Sequence, residues 1–125
     1  MRTIGRFYRE EILSLPPEKL APIELPANWD NTRIEQDLFG WKLYSGADFI
    51  ECRSEEEARY LKVFIDSRVT EVFIPKNEQD LKTILPKLEN LKRKIDEIVN
   101  SYLETVLDRK IRERVRQEVF MEITK

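Results

Sequence analysis

Leu81, Ile84, Leu88, Leu91, Ile95, Ile98 and Tyr102 recur at alternating steps of three and four residues. That spacing keeps one apolar seam on one side of a helix. Asn77 stands where an N-cap is needed and Asp80 falls in the first turn, so a long helix is predicted to start there. Pro86 removes one backbone N–H and crowds the preceding turn, which predicts a kink or break near Leu85. From Lys87 to Ile123 there is no glycine or proline. Glu89 with Arg93, Lys92 with Asp96 and Arg93 with Glu97 are spaced for i,i+4 pairing. Beyond Tyr102 the apolar positions Leu103, Leu107, Ile111, Val115 and Val119 step by four, a drift that a turn at Asp108 would accommodate. The C-terminal part is therefore one long helix or a helical hairpin.

The upstream pattern is shorter in period. Tyr8, Ile12 and Leu15 share one side of a short helix that Pro16-Pro17 ends. Pro22 and Pro26 bracket Ile23-Glu24-Leu25 as an extended or edge segment, inside an irregular arm whose Trp29 needs a place on the core. Residues 33–38 alternate weakly, 41–44 continue past a bulge at Gly40, and 48–52 return after the turn at Ser45-Gly46-Ala47. Ser54 and Glu57 form a capping box, with Glu57 reaching back to the Ser54 N–H. The helix it starts is predicted to reach about Ser67 and to bury Ala58, Leu61, Phe64 and Ile65. Thr70–Ile74 is a further strand, stopped by Pro75. Strand, helix, strand in that order predicts a right-handed crossover. The expected class is α+β. A small mixed sheet of three to four strands (ββαβ) fills a head at 1–76, followed by a helical arm at 77–125, all in one structural domain.

Composition fits this picture. A 125-residue chain with 41% hydrophobic residues is one globular domain, and 37% charged residues with three glycines favour ion-paired helices over loops. The net charge of −2 hides an asymmetry. Residues 1–86 carry 12 Lys/Arg against 16 Asp/Glu, net −4, while 87–125 carry 10 against 8, net +2. A lone cysteine excludes an internal disulfide and suits a reducing, cytoplasmic setting. No apolar run follows the basic N-terminus as in a signal peptide, and none approaches the ~20 residues of a membrane span.

Chemistry is sparse. There is no histidine, which removes the commonest general base and metal ligand. Cys52 reads as a small apolar residue closing a strand rather than as a thiolate. Asp30 or Asp48 with Glu51-Cys52-Arg53 is similar to the D…E-x-K pattern of restriction-type nucleases, but Arg53 stands where lysine is usual. Asp48 and Glu51 would also point to opposite faces of one strand. Glu55-Glu56-Glu57 is the start of a capped helix. No catalytic, cofactor-binding or metal-binding residue is assigned, and the reading leans away from an enzyme.

Function is then expected from surface. A head of this size covers the seam to about Leu91, leaving the rest of the helix to pack elsewhere. Leu91, Ile95, Ile98, Tyr102 and Val106 are the expected interface with a second copy or another protein. The alternative is nucleic acid, met by Arg109, Lys110, Arg112, Arg114 and Arg116 in a run of net +4 over eight residues.

The segment Phe49-Ile50-Glu51-Cys52-Arg53-Ser54-Glu55-Glu56-Glu57-Ala58-Arg59-Tyr60-Leu61, with Ile65-Asp66-Ser67, resembles one in the target-recognition regions of N6-adenine DNA methyltransferases. There a strand leads into a Ser/Asp-capped acidic helix. Lys94-Ile95-Asp96-Glu97-Ile98-Val99 is similar to their C-terminal helices. The resemblance implies a recognition or accessory piece. It implies no methyl transfer, because that family's catalytic and cofactor motifs are missing from this chain.

Overall fold

The computed structural model of the chain describes residues 2–103. It runs α1 (Ile4–Phe7), a π-helical turn (Tyr8–Ile12), a 3-10 turn (Pro17–Lys19), β1 (Leu20–Glu24), β2 (Arg33–Asp37), β3 (Gly40–Ser45), β4 (Asp48–Cys52), α2 (Glu55–Asp66), β5 (Glu71–Pro75) and α3 (Glu78–Leu103). The class is α+β with a long C-terminal helix, and the strands form two antiparallel sheets rather than one mixed sheet.

Helix α2 lies at the centre. Ser54 caps it by accepting the Glu57 N–H at 3.1 Å. Glu57 does not complete the capping box, because its carboxylate pairs with Arg53 instead. The Ser54 hydroxyl donates to Glu78 at 2.7 Å, which ties the start of α2 to the start of α3. Around the helix Ala58, Leu61, Phe64 and Ile65 are buried as the pattern predicts, and Tyr60 and Val63 join them. One side of α2 packs on β2, β3 and β4, and another packs on α3.

The three-stranded sheet β2-β3-β4 is built from two hairpins, each with a two-residue loop. Leu43 is fully buried, so alternation turns Ile34, Leu43 and Ile50 towards α2 and leaves the opposite face outward. Gly40 is not a bulge. It pairs with Asp37 and closes the first hairpin at φ +119°, a conformation that a side chain would resist.

Strand β5 does not join that sheet. It pairs antiparallel with β1, so the predicted crossover unit over 48–74 is absent. The reason lies at Phe73. The bonds from the Leu25 N–H to Thr70 O and from the Lys76 N–H to Lys19 O fix which pairs of this ladder are hydrogen-bonded. Alternation then puts Pro22, opposite Phe73, and Pro75, opposite Leu20, at positions needing no N–H. Phe73 directs its own polar groups to the other edge. There its N–H donates to the Tyr8 hydroxyl at 2.8 Å, and its carbonyl accepts from the Tyr60 hydroxyl at 2.7 Å. Two buried tyrosines occupy the place that a neighbouring strand would take. Their rings also clamp Phe64, with centroids at 5.5 Å from Tyr8 and 4.9 Å from Tyr60.

Helix α3 begins at an Asn77 cap whose side chain accepts the Gln79 N–H at 2.7 Å. It passes Pro86 without a break. Pro86 and Lys82, whose carbonyl loses its partner, are both exposed, so water can satisfy that carbonyl. Lys92–Asp96 and Arg93–Glu97 pair along the helix as expected. Glu89 instead crosses to Arg59 of α2.

Candidate functional site

The expected interface on α3 is divided by the fold. Ile95 is 3% exposed, buried in the single chain rather than left for a partner, and Val99 one turn on, outside the expected set, is 6% exposed. The platform is longer than the ladder suggested, because α1 and α2 both lie against α3. Leu91 is half-buried against the same core, and Ile98 is the member left open, at 54%. The Tyr102 side chain and Val106 lie outside the described residues. So do Arg109, Lys110, Arg112, Arg114 and Arg116, and the position of a turn at Asp108.

The candidates for chemistry are not brought together. Among the described residues no three His, Cys, Asp or Glu side chains are placed to hold a metal ion. Burial pushes the Cys52 thiol up to about 11, with the nearby Glu57 carboxylate adding to the shift. It is a protonated, half-buried thiol with little nucleophilic character. A cleft of about 350 Å³ between α2 and α3 is lined by both signs of charge, already matched as Arg59–Glu89, Lys62–Asp66, Lys92–Asp96 and Arg93–Glu97. Such a cleft selects neither an anion nor a cation. A second cleft of about 320 Å³ lies beside Arg68, whose guanidinium is occupied by the Trp29 carbonyl and the Asp30 carboxylate.

The prominent surface is one that the sequence reading missed. Leu38 and Phe39 form the two-residue loop of the β2–β3 hairpin and are 99% and 88% exposed. Two polar contacts tie the base of the loop. Asp37 accepts the Phe39 N–H at 2.8 Å and pairs with Lys42 at 2.7 Å across the hairpin. Lys42 holds the Asp37 carboxyl below its ordinary value, and Asp37 in turn raises the Lys42 ammonium. Asp at the first position and Gly at the fourth is a type I turn signal, readable in Asp37-Leu38-Phe39-Gly40.

The outward sheet face continues from this tip. Two rows cross the strands: Glu35, Lys42 and Glu51, then Arg33, Tyr44 and Phe49. Lys42 lies between the rings of Phe39 and Phe49, at 5.5 and 5.0 Å from their centroids. Arg33 covers Tyr44 at 4.8 Å, and Tyr44 meets Phe49 at 5.5 Å. These aromatics lie on the far side of the sheet from α2, so they add nothing to the core.

No helix among the described residues is long and apolar enough to cross a membrane. No family model matches the chain, and neither a curated protein nor a solved structure matches it. The expected likeness to N6-adenine methyltransferase segments at residues 49–67 and 94–99 therefore rests on the sequence of those two segments alone.

Proposed function

We propose that this chain is a protein-interaction module that assembles with other polypeptides, its own copies first among them. The observation that carries this reading is the bare Leu38–Phe39 tip, hydrogen-bonded at its base to Asp37 and continuous with Phe49 and Tyr44. Two fully presented apolar side chains at a tight turn contribute nothing to folding, and contiguous apolar surface of this kind marks contact sites. A smaller strip on α3, Ile98 beside half-buried Leu91, is its second element, with Tyr102 and Val106 following in the sequence. The test is the solution mass of the full chain across a concentration series, by light scattering or sedimentation. Reversible self-association up to high micromolar concentration supports the reading. A monomer throughout that range overturns it.

A further inference from the structure

We infer that the outward face of β2-β3-β4 is a self-complementary surface, on which a second copy of this chain packs face to face about a two-fold axis. The inference rests on the assembly reading above and names both its occupant and its geometry.

The charges on the face decide the axis. The two rows, Arg33-Tyr44-Phe49 and Glu35-Lys42-Glu51, lie side by side across the strands. An axis along β3 would set Lys42 on Lys42 and Glu35 on Glu51 of the other copy, like charge on like charge. An axis along the rows, midway between them, exchanges one row for the other. Arg33 then faces Glu35 of the second copy, and Tyr44 faces its Lys42. Phe49 faces Glu51, so no charge meets its own sign. Both arrangements are isologous, and only the second is electrostatically favourable.

The tip fits the same operation. The exchange carries Leu38 and Phe39 beyond the paired rows, onto the opposite end of the second copy's β3. That end is the Gly46-Ala47 loop, where a Cβ built on Gly46 would meet no atom within 4 Å apart from its two chain neighbours. Small residues receive large ones at both ends of the interface. Phe39 is the expected anchor, since rings seated at such positions dominate binding. Arg33 and Lys42 are already held by Glu35 and Asp37 at 3.0 and 2.7 Å, so neither must be ordered on association.

The test measures the mass of the full chain against concentration for the wild type and four variants. Phe39→Asp weakens the dimer by about 30-fold or more. Glu35→Arg, which sets Arg33 of each copy against an arginine, also weakens it. Arg33→Glu combined with Glu35→Arg restores the dimer, because the exchange preserves every facing pair. Ile98→Asp tests the α3 strip separately from the sheet face. A dimer indifferent to Phe39→Asp and Glu35→Arg, or a double exchange that fails to restore it, overturns the inference. If Ile98→Asp alone dissociates the protein, the sheet-face inference falls and the assembly reading stands on α3. A wild type that stays monomeric removes both.

Discussion

Helix α2 and the β2–β3 hairpin carry similar fractions of apolar residues and use them in opposite ways. In α2, Tyr60, Leu61, Phe64 and Ile65 are almost wholly removed from water. At the hairpin, Leu38 and Phe39 are almost wholly left in it. An aromatic buried on every side stabilises the fold by several kcal/mol, whereas one at an exposed tip contributes nothing until a partner covers it. Hydrophobicity alone thus distinguishes neither role. The distinction comes from whether the residue's strand or helix has a neighbour on that side.

The largest expected effect is on the buried side of this comparison. Phe64→Ala leaves a cavity between Tyr8 and Tyr60 and lowers stability by about 3–5 kcal/mol, read as a fall in the urea midpoint. Tyr60→Phe keeps the ring but strips the Phe73 carbonyl of its donor, at a cost of about 1–3 kcal/mol. A midpoint unchanged in Tyr60→Phe would show that β5 is held without the Tyr60 hydroxyl.

Alkaline pH separates the two regions without mutation. Burial raises the Cys52 thiol from 9.0 to about 11 and raises Tyr8 and Tyr60 above 10.0. Each folded group keeps its proton where the unfolded chain has lost it. Their contribution is full below pH 9.0 and is lost as pH climbs, first through Cys52 between 9.0 and about 11, then through the tyrosines. Denaturant midpoints on either side of pH 9.0 should fall on the alkaline side, and Cys52→Ala should remove the earliest part of the fall.

A smaller effect has the opposite sign. Arg68 follows α2 at φ +65°, a left-handed position that usually belongs to glycine at a helix end. Its guanidinium reaches Asp30 at a largely exposed site. Arg68→Gly removes about 1 kcal/mol of backbone strain and gives up a surface ion pair of less than that. Its midpoint should rise slightly, and a fall would mean that the tie to the 28–31 loop matters more than the strain.

Most of the architecture could be read from local pattern. Ser54 marks α2, Asn77 marks α3, and the β3–β4 hairpin lies near its expected bounds, whereas the β2–β3 hairpin is not among the expected elements. The partnership of β5 could not be read, because it depends on Tyr8, 65 residues away, presenting its hydroxyl to the Phe73 N–H. Periodicity says that a strand exists and is silent about its neighbour. The seam on α3 is legible in the sequence, but the burial of Ile95 is not, since it depends on α1 and α2 both lying against α3. The Leu38–Phe39 tip was misread for a local reason. The weak alternation carries Leu38 into β2 and makes Gly40 a bulge, although Asp37 and Gly40 stand at the first and fourth positions of a turn.

One variant addresses the division between folding surface and contact surface directly. For Phe39→Asp, the urea midpoint and the solution mass are measured on the same full-length preparation. The expected result is stability within about 0.5 kcal/mol of wild type when both are diluted to monomers, as for other exposed substitutions, together with a drop from dimer to monomer mass at high concentration. An unchanged mass, or a loss of stability of the size expected for Phe64→Ala, would contradict it.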